Sequence, residues 1–244
     1  ETKAGILKKG GRAVLYPNEP SVETVLKDVC EERNVTYVFP EFDKIALEKH
    51  DLTGQIFSYG KYQKLFLPLL GEHQLCNAAV ALSAIDLLNQ NGWNIEETAV
   101  RDGFAQVAWP GRFEVVTMSP PFIIDGGHNP QCIETLAENI EKYFPNRKII
   151  ALTGVLADKD YEEMFDPILP YLSEVVCITP PCPRALPAEE LAVYLNGQGK
   201  VAIACEKIGE ATELSLRMAG KDGAVICFGS LYSIADIKEA MERK

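Results

Sequence analysis

The stretch that decides the fold is Phe122-Ile123-Ile124-Asp125-Gly126-Gly127-His128-Asn129-Pro130. Its apolar residues predict a buried strand that ends at Asp125, and the two glycines after it permit a tight turn. Asn129 is a good helix N-cap, and Pro130 suits the first helical position. The stretch therefore predicts a strand, a turn and a helix in immediate succession, which is the unit of parallel α/β sheets.

The same alternation fills the rest of the chain after Trp109-Pro110-Gly111. We predict strands at 121–125, 148–155, 174–178, 200–204 and 224–228. We predict helices at 130–143, 161–169, 188–195, 209–218 and 234–243. Short links between alternating strands and helices predict a Rossmann-like, mostly parallel sheet with flanking helices.

The part before Trp109 has a mixed pattern. We predict strands at 13–16 and 35–39, and a helix that is capped by Ser21 and runs to Arg33. We also predict a meander over 44–70 and a helix at 95–107. A further helix at 74–88 is nearly apolar all round, which predicts that it is buried. The chain is thus expected to contain two domains, 1–109 and 110–244, both of the α/β class.

Composition excludes several classes of protein. The 244 residues are 47% hydrophobic and 24% charged, which is typical of a globular protein and not of a disordered or fibrous one. The net charge of −11 makes nucleic acid or an anionic membrane a poor partner, so we expect neither. The seven cysteines are odd in number and include no Cys-x-x-Cys pair, so we expect reduced thiols and a cytoplasmic location.

Several polar residues follow predicted strands and could carry chemistry. Asp125 and His128 would lie at the carboxyl edge of the sheet, beside a helix N-terminus suited to an anion; alternatively, they only satisfy backbone groups of a structural turn. Asp158, Lys159 and Ser230 follow other strands and should reach the same edge. For Ser230 the alternative is a helix N-cap, and for Asp160 the N-cap is the preferred interpretation.

Two candidates lie outside these strand ends. Arg112 could hold a phosphate with its planar guanidinium, or it could form an ion pair with Glu114 or another acid. Asn77 lies in the first turn of the apolar helix and needs a partner, which could be a ligand edge or the backbone.

Common catalytic motifs are absent from the sequence. It contains no Gly-x-x-x-x-Gly-Lys-[Ser/Thr] phosphate loop, no Gly-x-Gly-x-x-Gly, no His-Glu-x-x-His and no Gly-x-Ser-x-Gly. With three histidines in all, a multi-histidine zinc centre is implausible.

Seven segments in order resemble the folylpolyglutamate synthase/dihydrofolate synthase branch of the Mur ligase superfamily. They are Lys3-Ala4-Gly5-Ile6, Gly71-x-His73-Gln74-x-x-Asn77-Ala78, Pro110-Gly111-Arg112-Phe113-Glu114, Asp125-Gly126-Gly127-His128-Asn129-Pro130, Gly154-Val155-Leu156-Ala157-Asp158-Lys159-Asp160, Pro183-Arg184-Ala185-Leu186-Pro187 and Gly229-Ser230-Leu231-Tyr232. The resemblance covers only the later part of the family protein. It implies the tail of a central ATPase domain followed by a complete C-terminal domain.

The resemblance implies an ATP- and Mg2+-dependent ligase that joins L-glutamate to folate or dihydropteroate through an acyl phosphate. It implies that Asn77, Arg112 and Asp125 contact ATP, and that His128 and Ser230 act as catalytic residues on the incoming glutamate. It implies that Lys3 is a metal ligand if carbamylated. Gly127 stands where the family usually has alanine, a change that should leave the turn intact.

The resemblance also sets expectations for the chain itself. Because the phosphate loop is missing, we expect the chain alone to be inactive, and we expect the full-length enzyme to be monomeric. Two alternatives remain open: a Mur-type amino-acid ligase of peptidoglycan synthesis, or a non-catalytic module that binds a nucleotide or an amino acid.

Overall fold

The computed structural model describes residues 2–242, with side chains from Ala4 onward. The chain divides into two compact units. The first comprises Glu1–His50, Gly54–Pro68 and Glu72–Val107, and the second comprises Asp51–Thr53, Leu69–Gly71 and Ala108–Lys244.

The first unit contains two small sheets and three helices. Its elements are β1 (Arg12–Val14), α1 (Pro20–Glu32), β2 (Thr36–Val38), β3 (Ile45–Asp51), β4 (Gly54–Tyr59), β5 (Tyr62–Leu67), α2 (Glu72–Gln90) and α3 (Glu97–Gln106). Strands β1 and β2 are parallel, whereas β3, β4 and β5 form the predicted meander. A short 3-10 turn at Thr2–Ile6 precedes β1.

Two details of this unit differ from the sequence prediction. Ser21 is not the cap of α1, because Pro20, which is pre-organised for the first helical turn, starts the helix one residue earlier. Helix α2 is buried along one face only: Leu75, Ala79 and Leu82 are buried, but Leu88 is 39% exposed. Val80, Ala84 and Leu88 line an open groove of about 590 Å³ beside β1.

The second unit contains one six-stranded sheet. Its strands are β6 (Glu114–Met118), β7 (Pro121–Ile124), β8 (Ile149–Thr153), β9 (Glu174–Ile178), β10 (Val201–Cys205) and β11 (Ala224–Phe228). They lie in the order β10-β9-β8-β11-β7-β6. Only β6 runs antiparallel to its neighbour, so the sheet is mostly parallel as predicted.

Helices cover both faces of this sheet. They are α4 (Pro130–Tyr143), α5 (Tyr161–Phe165), α6 (Ala188–Gly197), α7 (Ile208–Ala219) and α8 (Ile234–Glu242). The first three pack on one face, around Ile133, Phe165 and Leu191. The last two pack on the other face, around Ala211 and Ile237. The α/β prediction for this half is therefore confirmed.

Proline explains the two differences in the second unit. The helix predicted over 161–169 ends at Phe165, because Pro167 cannot continue it, and a 3-10 turn at Leu169–Tyr171 follows. Strand β6 was not predicted, because the Ser119-Pro120-Pro121 link to β7 has none of the Asn-Gly or Asp-Gly signals of a tight hairpin.

All seven cysteines are free, as expected. Cys30, Cys177 and Cys227 are core thiols, whereas Cys132 is exposed at the start of α4. Between Thr2 and Glu242, no helix is both long and apolar enough to cross a bilayer.

Ile226→Ala should weaken the second unit strongly. Ile226 is fully buried in β11 and lies opposite Ile123 on β7 and Ala151 on β8, so truncation leaves a cavity that costs about 2–5 kcal/mol. The matched change Val193→Ala, on a side chain that is 74% exposed, should cost less than about 0.5 kcal/mol. Native-state hydrogen exchange of the Val225 and Leu152 amides would measure both; equal effects would contradict the assigned core.

Candidate functional site

The candidate site lies at the carboxyl ends of three adjacent strands, β7, β11 and β8. The loops after β7 and β8 lead to helices on one face of the sheet, whereas the loop after β11 leads to α8 on the other face. Loops that leave neighbouring strands in opposite directions open a crevice, which is where open α/β sheets bind ligands. The predicted convergence of these strand ends is therefore confirmed.

The Asp125 carboxylate holds two chain segments together. Oδ1 accepts the Gly127 N–H at 2.7 Å, and Oδ2 accepts the Phe113 N–H at 2.8 Å. The Gly126 N–H donates to the Gly111 carbonyl at 2.8 Å. These bonds attach residues 111–113, at the start of the second unit, to the turn after β7.

Burial raises the pKa of Asp125. The two backbone N–H donors act in the opposite direction, and so does the nearby guanidinium of Arg112. Burial thus outweighs the two hydrogen bonds in its effect on this pKa, although the residue as a whole is only partly buried.

Arg112 lies directly over the glycine turn. A side-chain carbon added to Gly126 would stand 2.8 Å from Arg112 Nη1 and would overlap Leu231 Cδ2, so both side-chain ends would have to move to admit alanine. The exposed guanidinium makes one long hydrogen bond, from Nη1 to the Gly111 carbonyl at 3.4 Å. The suggested ion pair with Glu114 does not form, because Glu114 accepts from Lys238 Nζ and from the Gly111 N–H, each at 2.7 Å.

His128 and Asn129 complete the turn. His128 Nδ1 lies 2.9 Å from the Gly126 carbonyl. A carbonyl can only accept, so Nδ1 carries a proton, and the tautomer with this proton has its lone pair on Nε2. Asn129 caps α4 by accepting the Cys132 N–H at 2.9 Å, with Pro130 at the first helical position. Both helix-start predictions are confirmed.

Ser230 sits beside this turn and is buried. The preceding Gly229 N–H donates to the Gly127 carbonyl at 2.9 Å, which joins the loop after β11 to the loop after β7. Ser230 Oγ accepts the Tyr232 N–H at 3.3 Å, so the N-cap interpretation is correct. The hydroxyl still has its proton to donate.

The loop after β8 is held by a residue to which the sequence analysis gave no role. Arg184, from the loop after β9, pairs with Asp158 at 2.7 Å, and the Arg184 carbonyl accepts the Ala157 N–H at 2.8 Å. Tyr232 and Asp158 raise the pKa of Arg184. Asp160 caps α5, as preferred, by accepting the Glu163 N–H. The Arg-Ala-Leu-Pro segment was the sequence signal for this contact.

Two further candidates belong to the first unit. Asn77 is exposed in the first turns of α2, and its Nδ2 donates to Gln74 Oε1 at 3.2 Å. Its partner is thus a side chain and not the backbone. The side chain of Lys3 lies outside the described residues. Among residues 2–242, no group of three or more His, Cys, Asp or Glu side chains is arranged to hold a metal ion.

Comparison with known proteins agrees with this geometry. Residues 111–231 match the family model "Mur ligase, glutamate ligase domain". The chain is 29% identical to a dihydrofolate synthase/folylpolyglutamate synthase of Bacillus subtilis and 30% identical to a folylpolyglutamate synthase of Lacticaseibacillus casei. Each alignment covers 98% of this chain, and the chain spans 57% and 56% of the two relatives.

Solved structures give the same result. A folylpolyglutamate synthase of Mycobacterium tuberculosis, complexed with ADP and AMPPCP, superposes with a TM-score of 0.81 at 26% identity, over 96% of this chain and 55% of that one. Escherichia coli FolC with DHPP and ADP gives 0.80 at 27% identity, over 99% and 55%. Residues 111–231 therefore match a Mur ligase glutamate ligase domain, in a chain that is similar over nearly its whole length to folylpolyglutamate and dihydrofolate synthases.

Proposed function

We propose that the chain forms part of an ATP-dependent ligase that adds L-glutamate to folate or dihydropteroate through an acyl phosphate. Residues 1–109 would then belong to the central ATP-binding domain and 110–244 to the glutamate ligase domain. One observation carries the proposal. At the carboxyl edge of the sheet in the second unit, hydrogen bonds to backbone groups join residues 111–113, 125–128 and 229–231. The names of the relatives point to the folate branch.

Arg112 is the residue suited to the ATP phosphates. Its exposed guanidinium has one long backbone contact, and none of the described carboxylates lies within ion-pair distance of it. Most of its five N–H donors therefore remain available for phosphate oxygens, which a planar guanidinium binds in pairs. A carboxylate attacking a phosphoryl group gathers negative charge, and this cation would help to neutralise it.

Asp125 would bind the nucleotide while it holds the turn. Each of its oxygens accepts one backbone N–H, and each has a second lone pair. A ribose hydroxyl could donate to one of these free positions. The carboxylate is already fixed by its backbone bonds, so binding would require little rearrangement.

His128 and Ser230 would contact the incoming glutamate. His128 Nε2 can accept a hydrogen bond from the amino group, which must lose a proton before it attacks the acyl carbon. The Ser230 hydroxyl can donate to a carboxylate of the amino acid. The hydrogen bond from Gly229 N–H to the Gly127 carbonyl keeps the segments of these two residues adjacent.

ATP and Mg2+ fit this proposal only in part. Arg112 and Asp125 suit a nucleotide, whereas the described residues offer no complete metal site. Mg2+ would supply charge neutralisation at the phosphates. We assign Lys3, if carbamylated, as one ligand, and we assign the exposed amide of Asn77 to the adenine edge.

Arg112→Met should weaken ADP binding by about tenfold or more, because a hydrogen bond to a charged group contributes about 1.5–3 kcal/mol. Arg217→Met is the matched control, since Arg217 is an exposed cation on α7 that pairs with Glu213. Titration of Mg-ADP, followed by the amide resonances of Gly126, Gly127 and Gly229, would measure both. Equal affinities, or shifts confined to other amides, would refute the assigned phosphate contact.

Gly126→Ala and Gly127→Ala should differ sharply. The new side chain at 126 would push aside the ends of Leu231 and Arg112, and the displaced guanidinium should lower ADP affinity by about tenfold. At 127 it meets Asp125 Oδ1 at 3.0 Å and the flexible end of Ile133 at 3.2 Å, a fit that needs only small shifts. The same Mg-ADP titration compares the two variants. An equal loss of ADP affinity in Gly127→Ala and Gly126→Ala would be inconsistent with this packing.

The 244 residues alone should not turn over ATP. They contain no phosphate loop, so nothing in the sequence is built to cradle the β- and γ-phosphates during transfer. Phosphate release in the presence of ATP, Mg2+, dihydropteroate and L-glutamate should equal the enzyme-free rate. Glutamate-dependent release above that rate would disprove this expectation.

A further inference from the structure

The sheet of the second unit ends at β10, a strand that is chemically suited to pairing with another chain. Its sequence, Val-Ala-Ile-Ala-Cys, has no charge and high β-propensity. Val201 is 58% exposed and Ile203 is 39% exposed. Within residues 2–242, β10 pairs with β9 on one side and with no strand on the other. An exposed apolar edge of this kind is a template for intermolecular pairing.

One side chain occupies the centre of this edge. Asn196, in the last turn of α6, accepts the Ala202 N–H on Oδ1 at 3.2 Å and donates from Nδ2 to the Ala202 carbonyl at 3.0 Å. Nδ2 also donates to the Ala192 carbonyl at 2.7 Å. Because both N–H donors face carbonyls, the orientation of the amide is fixed.

This arrangement reproduces the pairing of two β-strands. In an antiparallel ladder, two opposite residues exchange both N–H···O bonds, and Ala202 makes that exchange with a side-chain amide. The next residue that faces the same way is Ala204. The backbone groups of alternate residues of β10 face the same side, and those of Ala202 face away from β9, so the N–H and C=O of Ala204 also point outward, where no described strand lies.

The edge is almost self-complementary. If two β10 strands met antiparallel about a two-fold axis at Ile203, Ala202 of one copy would face Ala204 of the other. Those are the two residues whose backbone groups point outward, so the register would satisfy them in both copies. In each copy the Asn196 amide already occupies the backbone groups of Ala202 that this pairing requires.

We propose that Asn196 is an intramolecular strand mimic that closes the β10 edge to a second copy of this chain. The inference is independent of the ligase proposal, because it involves neither a ligand nor turnover. The contact would favour a monomer, because the backbone groups of Ala202 on this exposed edge are occupied by the protein's own side chain.

The chain contains a matched control for this contact. Asn89, at the end of α2, accepts the Ile95 N–H at 2.8 Å and donates to the Ile95 carbonyl at 3.0 Å. The spacing of six residues and the two bonds are the same as at Asn196, but Ile95 lies in a loop and not in a strand. Asn89→Ala thus removes an equivalent contact without uncovering a sheet edge.

The experiment compares the wild type, Asn196→Ala, Asn89→Ala and the double variant Asn196→Ala/Ile203→Lys by light scattering over a concentration series. Asn196→Ala should approach about twice the monomer mass as concentration rises, whereas Asn89→Ala should match the wild type. The lysine in the double variant should restore the monomer, because a charge on the strand opposes pairing. As the protein concentration rises, hydrogen exchange at the Ala204 amide should slow about tenfold or more in Asn196→Ala and in none of the other three proteins.

Equal masses for Asn196→Ala and Asn89→Ala, with exchange at Ala204 independent of concentration, would overturn the proposal. Association that survives the lysine would overturn it as well, because the contact would then lie elsewhere. The wild type gives a test that needs no variant: the Ala202 amide should exchange more slowly than the Ala204 amide. Equal exchange at these two amides would show that the Asn196 contact does not protect the edge.

Discussion

The second unit depends on one carboxylate that bonds two distant backbone N–H groups. Asp125 holds residue 113 with one oxygen and residue 127 with the other. Each bond satisfies a backbone donor, and leaving one such donor unpaired when buried would cost about 1–3 kcal/mol. Arg112 directly precedes residue 113, so the bond from residue 113 to Asp125 fixes the backbone position of Arg112. The cation that we propose for phosphate binding is thereby fixed by an acid with which it forms no ion pair within the described chain.

Holding this carboxylate in a buried site has a cost that depends on pH. Burial raises the pKa of Asp125 in the folded protein above its unfolded value. A carboxyl group shifted in this direction favours folding below its unfolded pKa, and that contribution is lost as the pH rises through the folded pKa. As the pH rises and this carboxyl group loses its proton, its burial therefore increasingly opposes folding. Such a shift is common where a site needs a fixed, partly dehydrated charge.

The sequence predicted the elements of the second unit well, because its signals are local. The periodicity of the strands and helices, the Asn129 cap and the Asp160 cap each involve residues within one turn of each other. Predictions failed where tertiary context decides. Helix α2 has an apolar composition, but its exposed face depends on what packs against it, and the contact between Asp158 and Arg184 joins loops 26 residues apart. For the site, spacing predicted which segments meet, but not that Asp125 would bind the backbone of residue 113.

The two asparagines at helix ends show why local pattern is insufficient for function. Asn89 and Asn196 each bond both backbone groups of a residue six positions later. No difference in that local geometry separates a loop-closing contact from one that protects a sheet edge. The difference comes from the order of the strands, because Ala202 lies on the outermost strand of the sheet and Ile95 lies on none. The same reasoning applies at the carboxyl edge: Ser230 is an ordinary helix cap by its own hydrogen bonds, and it becomes a candidate ligand contact only because β11 lies between β7 and β8.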